Sequence, residues 1–388
     1  MQRTYPLELE QWWLDRARAI TGVADARRCL ESLEPDTARL SNLFTTDRPA
    51  HFEDYLSDPR LSAAYGLFFF PQTFVRVGRV LAEWPAADGL ARAGGHGPIR
   101  VADLGCGTGA STLAVLRRIG EASPGTSVEI TAVDRSRAAL KLLQELFEAA
   151  HSLWPNAVLD AVEADFSRGW AGAESPRDLV LASFALNEAF GPEAEESLRG
   201  WIASTMNGLG EAGTLAVVEP AGTEPSTRME RIRDWCAAQG IGRILGPCQH
   251  SKPCPMLREG AGWCHDVRRW HVPGTLACLN RRLFRSLQDL KYSFLLLSRS
   301  PALESAAPGG DRVCRLVAPV YRLKGRLRTA GCFDDGALRD IEILTRGHNR
   351  ASRDRLEALE RGDVVTPGNP RMLGDGRTAR ADDLVSPL

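Results

Sequence analysis

The chain has 388 residues, of which 44% are hydrophobic and 25% are charged, as in an ordinary globular protein. Lys and Arg number 48 and Asp and Glu number 49, so the formal net charge is −1. This balance excludes a uniformly basic nucleic-acid-binding chain, and any contact with nucleic acid must come from a local basic patch. The length suggests two or three domains, each large enough to bury a core.

The N-terminus and the apolar runs bear on where the protein is located. Residues 1–19 contain Glu8, Glu10 and Asp15 and lack the basic start and apolar centre of a signal peptide. No apolar run approaches the ~18 residues that a membrane-spanning helix needs. We therefore expect no membrane partner and a location in the bacterial cytoplasm, with the mitochondrial matrix as the alternative.

The first two predicted regions differ in their periodicity. Residues 1–95 are predicted to be helical, because an amphipathic pattern begins at Leu7 and resumes from Leu61 to Trp84, with Pro71 as an entry point or kink. Residues 96–245 alternate short apolar strands with helical runs. This alternation predicts an α/β fold with a doubly wound, mainly parallel sheet, which binds ligands at the carboxyl ends of its strands.

Three further regions follow the predicted α/β domain. Residues 246–272 are rich in Pro, Gly, Cys, His and Trp and are predicted to form a Cys-rich loop. Residues 273–350 are predicted to supply strands that complete the sheet. Residues 351–388 have little apolar content, so we expect a polar, mobile tail.

A glycine-rich loop follows the first predicted strand. It resembles the first motif of class I S-adenosylmethionine (SAM) methyltransferases, and it lacks the Gly-Lys-Ser/Thr of a P-loop. Asp134 ends the next strand, where an acid can bind the ribose hydroxyls, and Asp165 follows the third, where an acid can meet the adenine amino group. A tight turn with two surface acids is the less favoured interpretation. The predicted SAM-binding residues are Asp103, Gly105, Gly107, Gly109, Asp134 and Asp165.

The exit of the fourth predicted strand is where a class I enzyme places its substrate. Here the sequence runs from Ser183 to Glu188 and lacks the Asn/Asp-Pro-Pro-Tyr/Phe motif of many enzymes that methylate exocyclic amines. Glu188 is a candidate catalytic residue that orients an amine, and it could equally cap the next helix.

Three cysteines, Cys248, Cys254 and Cys264, lie close together in the Pro-rich segment. Their spacing is not the paired C-x2-C of zinc ribbons, and three thiols on such a loop suit zinc or an iron–sulfur cluster. Three ordinary buried cysteines are the alternative. The fourth ligand could be Cys314, Cys332, His250 or His265.

The glycine loop and the cysteine segment, in this order, resemble the methyltransferase-like small-ribosomal-subunit assembly family of bacteria and mitochondria. The resemblance spans about residues 55 to 350 and is carried by Tyr65–Glu83, Val101–Gly109, Leu179–Glu188, Val218–Thr223, Pro247–Pro255, Trp263–His265, Lys291–Phe294 and Lys324–Cys332.

This resemblance implies a metal centre and a partner. It implies a 4Fe–4S cluster with Cys248, Cys254, Cys264 and Cys332 as ligands, and zinc remains the alternative on spacing alone. It also implies binding to the small ribosomal subunit through ribosomal RNA.

A basic stretch supports an RNA partner. Between residues 312 and 328 there are six basic residues and no acid. On a strand such charges can meet phosphates, although a solvated edge strand is the alternative. The predicted RNA contacts are Arg322, Lys324, Arg326 and Arg328.

Two functions are compatible with these features. The first is a SAM-dependent methyltransferase that acts on the RNA of the small ribosomal subunit. The second is a non-catalytic assembly factor in which SAM and the cluster are structural. A radical-SAM enzyme is disfavoured, because its C-x3-C-x2-C motif is absent.

Overall fold

The computed structural model describes residues 4–45, 54–84, 97–169, 175–283, 285, 287–300 and 312–386. The chain divides into two compact units, one of residues 1–218 with 270–290 and the other of residues 219–269 with 291–388. Within the described ranges, no helix is both long and apolar enough to cross a bilayer.

The helices are numbered in chain order. They are α1 (Leu7–Thr21), α2 (Ala26–Ser32), α3 (Glu34–Thr45), α4 (Pro59–Ala82), α5 (Ala110–Ala122), α6 (Arg137–Ala149), α7 (Leu186–Ala189), α8 (Glu195–Asn207), α9 (Thr223–Gln239), α10 (Pro255–Glu259), α11 (Gly274–Arg282) and α12 (Arg350–Glu357).

The strands are numbered in the same way. They are β1 (Ile99–Leu104), β2 (Val128–Asp134), β3 (Ala157–Glu163), β4 (Arg177–Ser183), β5 (Leu209–Glu219), β6 (Arg243–Gly246), β7 (Asp266–Arg269), β8 (Asp289–Ser298), β9 (Cys314–Leu316), β10 (Tyr321–Leu323), β11 (Arg326–Phe333), β12 (Leu338–Leu344), β13 (Val364–Pro367), β14 (Arg371–Met372), β15 (Thr378–Ala381) and β16 (Leu384–Val385).

The first unit contains five parallel strands in the order β3-β2-β1-β4-β5. Val101, Ile130 and Leu179 on its central strands are almost completely buried, as expected for strands covered on both faces. The predicted doubly wound, mainly parallel sheet is confirmed. Strand order reverses between β1 and β4, and at this switch point the carboxyl ends of neighbouring strands leave room for a ligand.

The long helix α4 shows why the N-terminal region is helical. Asp58 caps it, because its carboxylate accepts two backbone N–H bonds of the first turn and Pro59 occupies the first helical position. The helix continues through Pro71, so this residue is not an entry point. At Gly66 a Cβ would lie 2.0 Å from the ring of Trp13, so α1 packs very closely on α4.

The second unit contains two sets of strands. Strand β8 pairs with β7 and, antiparallel, with β6. A second sheet has the order β14-β15-β12-β11-β9-β13-β16, and β10 pairs with β11. The strands predicted over residues 273–350 are therefore divided, because β8 is part of the eight-stranded sheet that contains β1 to β6, whereas β9 to β12 lie in the second sheet. Tight turns at Gly325 (φ +76°) and Gly336 (φ +74°) instead pair β10, β11 and β12 with one another.

The C-terminal segment differs from its predicted state. Residues 351–388 were expected to be a mobile tail, but their described part contains most of α12 and the strands β13 to β16. Its few apolar side chains, among them Leu356, Val365 and Leu384, are buried in one core with Leu327 and Ile343. The low apolar content misled the prediction, since pairing of β15 with β12 and of β13 with β9 directs those few residues inward.

The two regions between residues 246 and 290 are also more regular than predicted. The Cys-rich segment contains α10 and β7 within an otherwise irregular path. The next segment begins with α11, which belongs to the first unit, rather than with a strand. The first boundary between the units falls after Val218, earlier than the predicted end of the α/β domain at residue 245.

Candidate functional site

The glycine loop joins β1 to α5 at the switch point of the first unit. The φ angles of Gly105, Gly107 and Gly109 are +74°, +53° and +89°, and residues other than glycine rarely adopt such values. A Cβ at Gly105 would lie 2.4 Å from Cβ of Ala185, and one at Gly109 would lie 2.2 Å from Cδ1 of Leu143. At Gly107 a Cβ would meet no atom of the described residues within 4 Å. Two glycines therefore permit packing, whereas Gly107 faces open space.

Asp103, near the end of β1, connects this strand to α5. Its side chain is fully buried, and Oδ2 accepts hydrogen bonds from the hydroxyls of Ser111 (2.7 Å) and Thr112 (2.6 Å) in α5. Burial raises the pKa of Asp103 to about 6. Oδ1 is buried and has no hydrogen-bond partner in the described part of the chain. Asp103 thus connects the helix to the strand through Oδ2, while Oδ1 accepts no hydrogen bond from the described residues.

Asp134 lies beside the open position of the loop. Oδ2 accepts the N–H of Gly107 at 2.8 Å, and Oδ1 accepts the N–H of Ser136 at 2.9 Å. Burial raises the pKa of Asp134 above its usual value. Since a carboxylate has about four acceptor positions, both oxygens keep capacity for ligand hydroxyls.

Asp165 is placed differently from the other two acids. Its Oδ1 accepts bonds from the N–H (3.0 Å) and hydroxyl (2.6 Å) of Ser167, so it caps the turn at Phe166–Arg168. These hydrogen bonds lower the pKa of Asp165. The residue is exposed at the end of β3, next to the end of β2 that carries Asp134.

Beyond the exit of β4, Glu188 lies close enough to Tyr65 to act on it together with Asp134. Phe184 at this exit has φ +57°, an uncommon conformation for a bulky residue, and the Arg76 guanidinium lies 5.4 Å from its ring centroid. Glu188 follows in α7. Burial and then the negative charges of Glu188 and Asp134 raise the pKa of Tyr65.

Two tyrosines near these acids were not predicted from the sequence. The rings of Tyr55 and Tyr65 lie 6.0 Å apart, and the pKa of Tyr55 is raised by burial, by Tyr65 and by Glu188 and Asp134. Both belong to stretches that the apolar pattern marks only as helical packing. In the sequence, the only sign that these two residues lie near the acids is a hydroxyl within an apolar stretch.

In the second unit, four cysteines line one cavity of about 40 Å³. Cys248 follows β6, Cys254 precedes α10, Cys264 precedes β7 and Cys332 lies on β11. Three separate segments of the chain thus bring their thiols to one place.

Strand register separates Cys332 from its competitor Cys314. Cys332 lies opposite Arg315, and both line the cavity. Cys314 lies opposite Phe333, and both are buried in the hydrophobic core of the second sheet. Because neighbouring residues on a strand point to opposite faces, only one of the two thiols faces the cavity.

Helix α9 holds the segments that carry these cysteines. Glu230 accepts the N–H of Cys264, and both oxygens of Asp234 accept the N–H of Cys254 at 3.0 Å. Arg233, between them, donates to the carbonyls of His250 and Lys252. The sequence does not indicate that these charged residues bind the cysteine segments, because no pattern in the neighbouring residues shows that their side chains are buried.

Arg315 makes a second set of fixed contacts. Its Nε donates to the carbonyl of Pro247 at 2.6 Å, and Nη1 lies 3.1 Å from Asp266, which is also buried. The segments before Cys248 and after Cys264 are thereby tied to the same guanidinium.

Burial also shifts the ionisation of the four thiols. Burial raises the pKa of Cys254 to about 12 and raises the pKa values of Cys248, Cys264 and Cys332. Among the described side chains, no group of three or more His, Cys, Asp or Glu is placed to hold one metal ion.

The predicted RNA contacts lie on the hairpin of β10 and β11. Arg326 pairs with Glu342 at 2.7 Å, Arg328 pairs with Asp340 at 2.6 Å, and Arg322 lies 3.6 Å from Glu357. Lys324, at the turn, is exposed. The patch is therefore less positive than the sequence indicates, because acids distant in sequence neutralise part of it.

Solved structures of methyltransferases overlap this chain in part. A protein of Listeria monocytogenes described as a class I SAM-dependent methyltransferase shares 14% identity over 78% of this chain and 90% of its own, with a TM-score of 0.38. An O-methyltransferase family protein of Burkholderia thailandensis shares 14% identity over 72% and 73%, with a TM-score of 0.36. The citrinin polyketide synthase CMeT domain shares 14% over 72% and 71%, with a TM-score of 0.38.

Comparison with curated proteins gave no match. The family described as mitochondrial small ribosomal subunit Rsm22 matches residues 59–364, which include the glycine loop and all four cavity cysteines. With the match extending over well more than half of the sequence, the chain belongs to the mitochondrial small ribosomal subunit Rsm22 family.

Proposed function

We propose that this chain is a SAM-binding, methyltransferase-like protein that acts on the small ribosomal subunit. The observation that carries the SAM site is the pairing of Gly107, which is open to a ligand, with the Asp134 carboxylate that accepts its N–H. SAM supplies an electrophilic methyl group. The residues of the chain need only hold it and place an acceptor in line, without a strong acid or base.

In this proposal each predicted residue has a distinct role. Asp134 accepts the ribose hydroxyls, the three loop glycines allow close approach of the ligand, and Asp103 keeps the loop on α5. Asp165, more exposed, lies where the adenine amino group can reach it. Glu188 orients the methyl acceptor beside Tyr65.

A binding experiment tests the site. Asp134→Ala should lower SAM affinity at least tenfold in calorimetry, because two ribose hydrogen bonds are lost. Glu163→Ala is the matched control, since Glu163 pairs with Asp134 in register but is exposed and bound to Arg137 at 2.8 Å. Equal SAM affinity in the two variants would contradict the assignment.

A second experiment distinguishes an enzyme from an assembly factor. If the chain is a methyltransferase, tritium from labelled SAM should enter small-subunit RNA with the wild type and not with Asp134→Ala. If Asp134→Ala loses SAM binding yet still supports subunit assembly in cells, methyl transfer is not the function, and the assembly-factor hypothesis holds.

We further propose that Cys248, Cys254, Cys264 and Cys332 hold a 4Fe–4S cluster rather than zinc. Zinc needs its four sulfurs at ~2.3 Å from one point. The four thiols line one cavity, but the described side chains offer no group placed for a single ion. Four cysteine thiols are the usual ligand set of a 4Fe–4S cluster, which supports this proposal.

Metal analysis after anaerobic purification tests the cluster. We expect about four irons per chain in the wild type and loss of iron in Cys332→Ser. Cys314→Ser is the matched control, because Cys314 lies on the neighbouring strand but faces the core. One zinc and no iron per wild-type chain would contradict the cluster.

RNA is the partner that we propose for the outer face of β10, β11 and β12. Residues opposite each other share a face, so Tyr321 lies with Arg328, and Leu323 and Leu344 lie with Arg326. Tyr321 is 57% exposed, and both leucines are 41% exposed. An exposed aromatic between arginines can stack on a base while the arginines meet phosphates.

Binding of single-stranded small-subunit RNA tests this face. Tyr321→Ala should weaken binding by about 1–3 kcal/mol at any salt concentration, because stacking does not depend on counterions. Arg328→Gln should weaken binding and also reduce its salt dependence. Unchanged affinity in both variants would exclude this surface.

The compartment remains a prediction. The family description names the mitochondrion, which fits the mitochondrial alternative rather than the bacterial cytoplasm.

A further inference from the structure

His250 lies between a guanidinium and a cavity cysteine. Its Nε2 is 3.4 Å from Sγ of Cys332, and its Nδ1 is 3.2 Å from Nη2 of Arg233. The residue is only 9% exposed, which limits the access of water to its ring. His250 thus contacts the sulfur of a cysteine that lines the cavity.

The contact with Arg233 decides which nitrogen of His250 carries the proton. A guanidinium has five N–H donors and no acceptor, so Nδ1 must accept. In a neutral imidazole the proton is then on Nε2. Arg233 cannot turn away, because it also donates to the carbonyls of His250 and Lys252. The hydrogen bond to Cys332 therefore runs from Nε2–H to the sulfur.

We propose that His250 is a positioning residue that donates a fixed Nε2–H hydrogen bond to the Cys332 sulfur and thereby raises the reduction potential of the metal centre. This inference rests on the proposed cluster. Hydrogen bonds to ligand sulfurs are among the factors that set the potential of iron–sulfur proteins. If a bound cluster takes up an electron from an external mediator, Nε2–H of His250 would stay directed at the Cys332 sulfur and would stabilise the added negative charge.

Within the described part of the chain, His265, the other histidine of the segment, makes no hydrogen bond to a cysteine sulfur. His265 follows Cys264, stacks on Trp263 at 5.9 Å, and places Nδ1 3.3 Å from the carbonyl of Trp263. A position next to a cysteine in the sequence is thus not sufficient for a hydrogen bond to a cysteine sulfur. The arginine on α9 distinguishes His250 from His265.

Two variants of the full chain test the inference. His250→Phe keeps a ring but removes the N–H, and His250→Gln keeps an amide N–H that can reach the position of Nε2. At a fixed potential we expect the ratio of reduced to oxidised cluster to fall about tenfold in His250→Phe, a shift of ~59 mV for one electron. His250→Gln should recover most of this loss, and the midpoint is measured by mediated titration with absorption readout.

Iron content separates the possible failures. If the wild type holds no iron, the cluster and the redox role of His250 are both overturned. If His250→Phe holds full iron at an unchanged midpoint potential, only this inference is overturned.

A measurement on the metal-free wild type tests the hydrogen bond itself. Nitrogen-15 spectra of histidine should show a protonated Nε2 and an unprotonated Nδ1 for His250. The opposite tautomer would overturn the inference whatever the iron content.

Discussion

Gly107 and Gly109 are two residues apart in one loop, and their surroundings give them different roles. Both have positive φ. Gly109 is closed in by Leu143, whereas Gly107 is open. The sequence presents them as equivalent members of one motif, and only their neighbours separate a packing position from a ligand position.

Alanine at these two positions should therefore affect stability and SAM binding to different degrees. Gly109→Ala should lower the free energy of unfolding by about 2–4 kcal/mol, because overpacking adds to backbone strain. Gly107→Ala should lower it by only about 1–2 kcal/mol but abolish SAM binding. Urea unfolding and calorimetry measure the two quantities, and SAM affinity of wild-type strength in Gly107→Ala would contradict an open ligand position.

The raised pKa of Asp103 leads us to expect that the stability of the protein depends on pH. Burial raises its folded-state pKa to about 6, above the ~3.9 of an unfolded chain. The native state then binds the proton more tightly, so this contribution to stability is complete below about pH 4 and is lost as pH rises through 6. The loss is up to about 3 kcal/mol.

Asp103→Asn isolates this effect. The amide cannot ionise, and its oxygen can still accept the Ser111 and Thr112 hydroxyls. We expect wild type minus variant stability to decrease between pH 4 and pH 7 in urea titrations. A difference independent of pH would show that Asp103 does not titrate with a raised pKa.

At the scale of elements, the packing of α1 on α4 depends on one glycine. Gly66 leaves room for the Trp13 ring, which would otherwise lie 2.0 Å from a Cβ. Trp13 is fully buried, so it has no alternative position in solvent. The apolar pattern predicts both helices, but it does not indicate where they cross.

Two alanine variants of α4 test this crossing. Gly66→Ala should lower the free energy of unfolding by at least about 1–3 kcal/mol through overpacking. Gly78→Ala, on the same helix with no atom within 4 Å of its Cβ, should raise it by about 0.5–1 kcal/mol. Thermal unfolding compares them, and equal effects would contradict the close approach at Gly66.

At the scale of the whole molecule, the two proposed ligands bind in different units. The SAM loop belongs to the first unit and the four cavity cysteines to the second. A ligand that binds only the folded state stabilises it by about 2.7 kcal/mol at one hundred times its dissociation constant.

Hydrogen exchange should therefore report each ligand separately. SAM should slow exchange at the backbone amides of Gly107 and Ser136, whose hydrogen bonds end on Asp134. Iron loading should slow it at Cys254 and Cys264, whose amides bond to α9. Protection by SAM confined to the cysteine segments would contradict the assignment of the two sites.

The sequence by itself determined the features that local pattern encodes. Strand and helix periodicity predicted the parallel sheet, and the Gly-x-Gly-x-Gly loop with Asp134 predicted a ligand site at its strand ends. These conclusions needed only neighbours within a few residues, since periodicity and turn chemistry are local properties.

Tertiary structure alone decided which distant residues meet. It turned Cys332 toward the cavity and Cys314 into the core, placed Tyr55 and Tyr65 beside the acids, and folded a polar C-terminal segment against β9 and β12. Each outcome depends on strand register or on packing between segments far apart in sequence. Strand register and long-range packing cannot be read from a short stretch of sequence. A shift of register by one residue moves every side chain of a strand to the opposite face of the sheet.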